Sequence, residues 1–454
     1  MQGSIFGSLC CVVLMDKLAK LVYNKPDLLY MYKDLVGTPP LQMVEDVLAV
    51  QKCSNKSLQI NTTINTFVKL EKLQLSRQKC HNIHIGAKNM ECPPLNIHGS
   101  KLENSDQEKY LGDLVDKKGT CRPNIEKRKL KGFSITSSIL AIVNEVPMGH
   151  WKIQAGLSLR QAMLINGIMF NSEAWQGAET KDIIQLEKVD EALLRGILGA
   201  HPKIPLEALY LETKSIPIRF IIASRRILYL HTILQKDENE ILSKIYKAQK
   251  MKPSPGDFVN LVKNDFENIG LNMTEDEIRK IPKQRFKRIV KLKINNAAFS
   301  FLKSLKQTHS KMKNLQYEKF EVSKYLSSPL FSRNSRWLLL ALRTRTVRGI
   351  RSDFPGIYKD TMCPLGCGEK DTIQNILTCR VLKENYKSNE VSISEVQYED
   401  IFSQDIDKQK QVTELFERLL EVRNSLISSL PVACTGPVQS RQALQNHPVI
   451  LGNK

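Results

Sequence analysis

The chain has 454 residues, of which 42% are hydrophobic, enough to bury a core in two or three domains. Lysine and arginine number 67 against 47 acidic residues, a formal net charge of +20 that favours a polyanionic partner, nucleic acid before membrane. The ten cysteines are scattered along the chain, which argues against a disulfide-stapled secreted scaffold and predicts an intracellular protein, nuclear or cytoplasmic.

The N-terminus carries an apolar stretch, Met1–Met15, that lacks the basic region and the cleavage site of a secretory signal. Helical spacing of apolar residues predicts a buried helix over Leu9–Leu21. Gln2, Gly3 and Ser4 precede it as a polar loop that could face a ligand or simply begin the helix. The chain contains no run of 18 or more apolar residues, so we predict no transmembrane helix and no membrane partner.

Two adjacent acids, Glu45 and Asp46, interrupt an apolar run between Leu41 and Val50. Short apolar runs predict buried strands, and the acidic pair between them predicts the tip of a tight hairpin. Carboxylates held together at such a tip repel each other, and a divalent cation is the usual reason to hold them there. A solvated acidic turn is the simpler interpretation, and this stretch alone favours it.

Further along the chain, short strands give way to helices. An amphipathic helix is predicted over Asn55–Leu75, and short strands over Lys79–Ile85 and Tyr110–Val115 with a turn at Lys117–Gly119. From Asn124 onward the apolar spacing is helical. The predicted helices are Asn124–Val143, Leu157–Trp175, Lys181–Leu198 with Gly199 as its stop signal, Ile218–Leu234 and Asp407–Leu426.

The segment Ile281–Tyr317 contains ten basic residues and no acidic one. Apolar residues at helical spacing predict that it forms a helix with a basic outer surface. A charge run is usually a solvated face, but the absence of acids makes phosphate contacts as credible. The ten bases are Lys283, Arg285, Lys287, Arg288, Lys291, Lys293, Lys303, Lys306, Lys311 and Lys313.

Three clustered cysteines, Cys363, Cys367 and Cys379, follow a run of arginines between Arg343 and Arg351. Two close cysteines, a spacer and a third cysteine predict a small zinc knuckle. A closed tetrahedral zinc site needs a fourth ligand, and neutral Asn375 is a poor one. The other candidates for this ligand are Glu369, Asp371 and His309.

The order and spacing of these blocks resemble the C-terminal part of a non-LTR (LINE-type) retrotransposon reverse transcriptase. Gln2-Gly3-Ser4, with Gly7, is similar to the family's loop that lines the incoming nucleotide. Met43-Val44-Glu45-Asp46 occupies the place of the family's aromatic-or-apolar, x, Asp, Asp metal hairpin. Lys79 is similar to the lysine of the next polymerase block, and Tyr110-Leu111-Gly112 to the primer-grip segment.

The arginine run and the cysteines resemble the family's C-terminal arginine-rich and cysteine/histidine element, in which Asn375 takes the place of a histidine. The resemblance implies an α+β, helix-dominated fold. A partial palm with a short antiparallel sheet spans 1–123, and a helical thumb and connection region spans 124–340. The arginine-rich segment and degenerate zinc knuckle span 341–385, and a C-terminal helix with a tail predicted to be disordered spans 386–454.

The resemblance also implies RNA-directed DNA polymerase chemistry on an RNA and DNA template-primer. Two Mg²⁺ or Mn²⁺ ions carry it: one activates the primer 3′-hydroxyl, and the other holds the triphosphate and neutralises the leaving pyrophosphate. Glu45 and Asp46 are then metal ligands, and with Lys79 they form the catalytic set. The resemblance also implies that the three cysteines are ligands of a zinc ion.

Departures from the family pattern fall on the catalytic parts. The chain starts at Met1, so the family's upstream strand with its aspartate is expected to be absent. Glu45 replaces Asp, and its extra methylene moves the carboxylate by about 1.5 Å, whereas a shift near 1 Å can cost roughly a hundredfold in rate. We therefore predict a degenerate remnant that does not polymerise DNA as a lone polypeptide.

Two alternatives remain open from the sequence. The first is a non-catalytic RNA- or DNA-binding protein that uses the basic helix and the arginines from Arg343 to Arg351. The second is an open reading frame with no stable fold, because a palm sheet that has lost strands exposes an aggregation-prone edge.

Overall fold

A computed structural model describes residues 15–38, 40–43, 46–51, 54–86, 94–97, 99–146, 150–175, 178–386 and 393–430. The described chain is dominated by helices and carries a few short sheets, which confirms the α+β, helix-dominated prediction. Two compact units share the chain. The first unit is Met1–Lys129, Met169–Gln185 and Arg219–Ile294, and the second is Leu130–Ile168, Leu186–Ile218 and Asn295–Lys454. The four-part division made from the sequence stays a prediction.

Helices account for most of the described chain. The α-helices are α1 (15–23), α2 (Ser54–Leu70), α3 (Arg122–Glu145), α4 (His150–Leu159), α5 (Asn166–Ile168), α6 (Thr180–Leu198), α7 (Leu206–Thr213), α8 (Ile218–Leu234), α9 (Ile241–Met251), α10 (Phe258–Ile269), α11 (Glu275–Lys280), α12 (Lys283–Lys306), α13 (Lys324–Ser327), α14 (Arg333–Arg343), α15 (Ile373–Thr378), α16 (Arg380–Asn385) and α17 (Ile406–Ser429). A π-helical stretch, Arg160–Ile165, joins α4 to α5. Single 3₁₀ turns lie at Pro26–Leu28, Arg77–Lys79, Ser172–Ala174, Arg351–Asp353, Ile393–Glu395 and Tyr398–Phe402.

The strands are short and pair two by two. They are β1 (Tyr30–Tyr32), β2 (Val36–Thr38), β3 (Leu41–Met43), β4 (Asp46–Leu48), β5 (His81–Asn82), β6 (Asn96–Ile97), β7 (Ser100–Lys101), β8 (Glu103–Asn104), β9 (Gln107–Tyr110) and β10 (Asp113–Asp116). Four pairs are antiparallel, β1–β2, β3–β4, β6–β7 and β9–β10, and β5 pairs with β8 in parallel. In the described residues these strands therefore form separate two-stranded sheets and no continuous one.

A small apolar core in the first unit holds the N-terminal helices together. It consists of Leu18, Val22, Leu28, Ile60, Phe67 and Val68. Ile64 packs against it partly buried, so the amphipathic character predicted for α2 is confirmed. Val47 of β4 joins the same cluster, which attaches the β3–β4 hairpin to the core.

The second unit has a close helix crossing between α3 and α6. The buried face of α6 carries Leu186, Val189, Leu193 and Leu194. A Cβ added at Gly132 would lie 2.8 Å from Val189 Cγ1, and one added at Gly196 would lie 2.6 Å from Leu140. Both glycines therefore let the two helices approach more closely than alanine would allow.

Most predicted helices are confirmed. Ile218–Leu234 coincides with α8, and the predicted segments at 124–143, 181–198 and 407–426 lie inside α3, α6 and α17. Gly199 ends α6 with a φ of +63°, as its stop signal predicts. Residues 15–21 of the predicted N-terminal helix belong to α1, which continues to residue 23. No helix in the described part of the chain is both long and apolar enough to cross a membrane.

Five predicted elements are wrong in extent. The helix predicted over Ile281–Tyr317 is limited to α12, Lys283–Lys306, after which the chain continues in turns. Helix α2 ends at Leu70 rather than Leu75, because Lys72 takes a left-handed φ of +53°. The strand predicted over Lys79–Ile85 is only the two-residue β5. The helix predicted over Leu157–Trp175 is broken into α, π and 3₁₀ pieces.

The segment Tyr110–Val115, predicted as one strand, instead contains the turn of a hairpin. Tyr110 ends β9 and Asp113 begins β10. Leu111 and Gly112, with φ values of +47° and +91°, form the two-residue turn that joins them. The turn predicted at Lys117–Gly119 is confirmed by a 3.0 Å hydrogen bond from the Gly119 N–H to the Asp116 carbonyl.

Candidate metal centre and basic surfaces

A tight turn brings the first two cysteines of the cluster together. The Cys363 N–H donates to the Glu369 carbonyl at 2.8 Å, and the Gly366 N–H donates to the Cys363 carbonyl at 3.1 Å. Gly366 and Gly368 have φ values of +75° and +86°, where a side chain would be strained. The glycines thus fold the chain back so that Cys367 returns towards Cys363.

Helix α15 places the third cysteine. Thr372 caps the helix, and its hydroxyl accepts a hydrogen bond from the Asn375 N–H at 3.0 Å. The Cys379 N–H donates to the Asn375 carbonyl at 2.7 Å. Asn375 and Cys379, four residues apart, therefore lie on one face of a single helical turn.

The sulfur atoms of Cys363, Cys367 and Cys379 lie within 4.8 Å of one another. A tetrahedral zinc ion with Zn–S bonds of about 2.3 Å separates its sulfurs by roughly 3.8 Å, so a small closure would complete the geometry. The predicted trio therefore comes together and could hold a metal ion. Among the described residues, no His, Asp or Glu joins it.

Asn375 lies where the resemblance has a histidine. Its side chain is buried, and its Nδ2 lies 3.4 Å from Cys367 Sγ while its Oδ1 lies 3.9 Å away. The amide nitrogen donates to sulfur and offers no lone pair to a metal. Three thiolates with an open fourth position, filled by water, are therefore the shell that these residues can offer to zinc.

The other candidates for a fourth ligand are excluded by their surroundings. The buried Asp371 carboxylate accepts hydrogen bonds from Arg423 Nη2 at 2.8 and 3.0 Å and from the Arg351 N–H at 2.7 Å. Its charge is already neutralised inside the fold. Glu369 and His309 are exposed, and neither belongs to the cysteine cluster.

The three thiols differ in acidity. Burial raises the pKa of Cys363 and of Cys379 above the ordinary thiol value. Burial also opposes ionisation of Cys367, but hydrogen bonds from Asn375 and from the Glu369 backbone outweigh it and lower the pKa of that thiol. Negative charge is therefore favoured on Cys367, and metal binding would release protons from the other two.

The predicted acidic hairpin is present in its backbone. Strands β3 and β4 pair with Met43 opposite Asp46, Gln42 opposite Val47 and Leu41 opposite Leu48. Glu45 lies outside the described residues, as do Gln2, Gly3 and Ser4, and the structure describes only the backbone of Asp46. Their catalytic, metal-binding and nucleotide-facing roles stay predictions.

The segment that resembles the primer grip touches this hairpin. The Tyr110 hydroxyl donates to the Leu41 carbonyl at 3.3 Å. Asn124 of α3 holds the β9–β10 hairpin by bonding both the Leu114 N–H (2.6 Å) and its carbonyl (2.9 Å). Lys79 lies exposed on a 3₁₀ turn, and its ammonium group makes no ion pair within the described residues.

Helix α12 presents unpaired positive charge. Phe286, Val290 and Ile294 are buried and fix its inner face. Its exposed bases in the first three turns are Lys283, Arg285, Lys287, Arg288 and Lys291. None of these five forms an ion pair with any carboxylate that the structure describes, and the neighbouring Lys293 bonds the neutral Gly270 carbonyl at 2.7 Å.

The arginine run does not act as one surface. Arg343 is buried, and its Nε lies 2.8 Å from Glu212 Oε1, so a role for it in nucleic-acid contact is wrong. Arg351 pairs with Asp360 at 3.0 Å. Arg345 is partly exposed and Arg348 is exposed. Phosphate contacts by the arginine run stay a prediction, and Arg345 and Arg348 are the two members whose exposure suits them best.

Three residues that the sequence does not single out, Lys203, His201 and Phe354, pack together with Lys311. Lys203 Nζ lies 4.6 Å and Lys311 Nζ lies 5.5 Å from the centre of the Phe354 ring, and the ring of His201 meets the same ring edge-on at 5.4 Å. No spacing pattern joins residues so distant in the chain, so no sequence signal could have found this cluster.

Comparisons of the chain with protein-family models, with curated proteins and with solved structures find no match. Its function is therefore argued from its own residues and geometry.

Proposed function

We propose that the chain is a remnant of a non-LTR retrotransposon reverse transcriptase that binds RNA and DNA but does not polymerise DNA by itself. The observation that carries the proposal is helix α12, with five exposed bases in its first three turns, no acid in its sequence and no described carboxylate that pairs with these five bases. Uncompensated charge of this kind attracts phosphates and releases their counterions.

The dimensions of this surface suit a nucleic-acid backbone. Eight residues separate Lys283 from Lys291, about 12 Å along the axis at a rise of about 1.5 Å per residue. That length covers roughly three phosphates at the axial spacing of about 3.4 Å in one strand of a duplex. Exposed bases on neighbouring turns can therefore contact successive phosphates.

Reverse-transcriptase ancestry is supported by the contact between the two hairpins. The hydroxyl of Tyr110, in the primer-grip-like segment, reaches the Leu41 carbonyl in the hairpin that would hold Mg²⁺ or Mn²⁺. Residues that are far apart in sequence and resemble two functional blocks of that family are thus neighbours here. Glu45, with its longer side chain, would displace one carboxylate and impair the metal site.

The binding proposal is tested by fluorescence anisotropy with a labelled single-stranded RNA over a series of salt concentrations. We expect affinity to fall steeply with salt, by about 0.7 logarithmic units per phosphate contact for each tenfold rise. Lys287→Gln, Arg288→Gln and Lys291→Gln together should lower that slope by about 2.

A matched control removes three lysines that already have acidic partners, Lys236→Gln, Lys247→Gln and Lys408→Gln. We expect this variant to change the slope much less. A flat salt response in the unmodified chain, or equal losses in both triple variants, would contradict the proposal.

The absence of polymerase activity is tested by primer extension on a poly(rA) template with Mg²⁺ or Mn²⁺. We expect no template-dependent incorporation. Incorporation that disappears in Asp46→Ala would show that the hairpin still holds working metals and would overturn this part of the proposal.

A further inference from the structure

A group of cations in the second unit surrounds one buried aromatic ring. Phe354 is 3% exposed, and the ammonium groups of Lys203 and Lys311 lie 4.6 and 5.5 Å from its ring centre. His201 meets the ring edge-on at 5.4 Å. The negative face of the ring attracts both ammonium groups, and it holds two like charges near one another.

Two arginines extend this charge. Arg348 is exposed and lies over the Trp337 ring at 6.0 Å from its centre. Arg345 Nε lies 3.7 Å from a carboxylate oxygen of Asp353. We call Lys203, Lys311, Arg345, Arg348 and His201 the cation cluster.

The cation cluster is incompletely neutralised. Asp353 is the one described carboxylate within ion-pair distance of any member, and it contacts only Arg345 at that distance. Lys311 Nζ is buried without a hydrogen-bond partner. Both carboxylate oxygens of Asp353 are likewise buried and accept no hydrogen bond. Four permanent cations thus face a single acid, and one buried ammonium lacks an acceptor.

The ionisation of the cluster shows the same imbalance. Burial and the surrounding cations, Arg348 and Lys311 foremost, lower the pKa of His201 to about 4. Burial likewise lowers the pKa of Lys311, which Asp353 partly offsets. At neutral pH the imidazole is therefore uncharged, and the lysines and arginines supply the positive field.

The backbone at Arg345 points to a use for its side chain. Arg345 has a φ of +51° at the residue that follows the cap of α14. The Thr346 N–H donates to the Ala341 carbonyl at 2.8 Å and the Arg345 N–H donates to the Leu342 carbonyl, a Schellman arrangement that favours glycine. An arginine there is less favourable than a glycine.

We propose that the cation cluster binds the phosphodiester backbone of single-stranded RNA, as a second contact in addition to the bases of α12. At the exposed Lys203 and Arg348, the phosphate oxygens would supply the counter-charge that Asp353 alone cannot provide. The inference rests on the proposed function, because it names a further surface for the same polyanionic partner.

The test compares two variants with equal loss of charge, Lys203→Gln with Arg348→Gln in the cluster and Lys287→Gln with Arg288→Gln in α12. Binding of a labelled single-stranded RNA is measured by anisotropy over a salt series. We expect the cluster variant to lower the salt slope by about 1.4, which is about a 25-fold loss of affinity at 0.1 M salt. The α12 variant should lose a similar amount.

Arg345→Gly separates binding from folding. The change is made in the Asp353→Asn background, so that no buried carboxylate loses its ion-pair partner. Glycine fits the left-handed backbone, so the melting temperature should hold or rise relative to Asp353→Asn alone, while RNA affinity should fall about fivefold with one phosphate contact. Asp353→Asn, which removes the one acid, should tighten binding.

The outcomes distinguish the two proposals. If the cluster variants bind RNA as the unmodified chain does while the α12 variant is weakened, this inference is wrong and the proposed function stands. If the unmodified chain binds no RNA at low salt, both are wrong. Displacement of labelled RNA by inorganic phosphate beyond the effect of KCl at equal ionic strength, lost in the cluster variant, would assign the site to free phosphate and overturn the inference.

Discussion

The hairpin end of the chain and its cysteine end both carry resemblance to a reverse transcriptase, but they are built differently. The strands near the acidic hairpin form two-stranded sheets, and of their described side chains only Val36, Ile97 and Asp116 are buried. Two-stranded sheets are marginal in water without further packing. Among the described residues, strands β3 and β4 are therefore held by a few contacts, such as those of Val47 and Tyr110.

The cysteine end is held by buried polar groups. Asp371 and Arg423 are 52 residues apart and pair with both side chains nearly inaccessible. The same carboxylate fixes the Arg351 backbone, and Cys363 and Cys379 are buried. This element is therefore tightly packed even though Asn375, in the position of a histidine of the proposed family, is a poor metal ligand.

The difference shows that how tightly a region is packed does not follow from how complete its set of chemical groups is. At the cysteine end a tightly packed scaffold surrounds an incomplete ligand set. At the hairpin end the described strands are lightly packed. Mutations that disturb packing should thus have their largest effect at the cysteine end, and a single ligand exchange there should restore chemistry.

The largest effect is expected from Arg423→Met. It leaves the Asp371 carboxylate buried without its partner, which costs about 3–5 kcal/mol in the free energy of unfolding. Lys410→Met on the same helix, which breaks only an exposed pair with Glu414, should cost less than about 1 kcal/mol. Thermal and urea unfolding measure both. Similar small losses in the two variants would show that the cysteine end does not depend on this pair.

Ionisation of Asp353 is expected to change the free energy of unfolding by up to about 3 kcal/mol between low and neutral pH. Burial raises the pKa of this carboxyl to about 6, against the opposing effect of Arg345 and Lys311 and with help from Asp371. The folded state therefore holds the proton more tightly than the unfolded state, so stability falls as pH rises from about 4 to about 6. Asp353→Asn should remove this component, seen as the difference between the two unfolding profiles. Parallel profiles would contradict it.

A smaller gain is expected from Asn375→His. The imidazole would complete a three-cysteine, one-histidine shell, and zinc affinity should rise at least about tenfold. Competition with a chromophoric chelator measures the affinity. Asn385→His, on the exposed face of α16, serves as the control, and Cys363→Ser should abolish binding. Equal affinities for the chain and Asn375→His would mean that the cysteine end is not a zinc scaffold.

The smallest effect is expected from Gly112→Ala at the hairpin end. Its φ of +91° and a 3.3 Å approach to Phe170 predict a loss of about 1 kcal/mol. Gly356→Ala, with nothing within 4 Å of its added Cβ, is the matched control. Hydrogen exchange at β9 and β10 would show whether the loss stays local to this hairpin. Identical exchange in the two variants would mean that this turn carries no strain.

Helices were predictable from the sequence because the apolar residues of a helix's buried face recur at helical spacing. Ile218–Leu234 agrees with the structure at both ends. The strands were not predictable, because their side chains are half exposed and their apolar and polar residues show little alternation. The turn at Leu111–Gly112 was missed because a leucine with positive φ gives no warning in sequence.

The site was predictable only where its residues are close in the chain. Cys363, Cys367 and Cys379 fall within one short segment, and the spacing found them. The pairing of Arg343 with Glu212 joins residues 131 apart, so the sequence placed that arginine on a surface that it does not occupy. Charge alone cannot tell an arginine that faces solvent from one that is buried in an ion pair.

The central claim, that this is a nucleic-acid-binding remnant without polymerase activity, is tested most directly by one assay on a labelled RNA template with a DNA primer. Retention of the labelled duplex and extension of its primer are recorded together, with Mg²⁺ or Mn²⁺, at low and high salt. The account predicts retention that weakens steeply with salt and no extension under either metal. Extension that is lost in Asp46→Ala, or no retention at low salt, would contradict it.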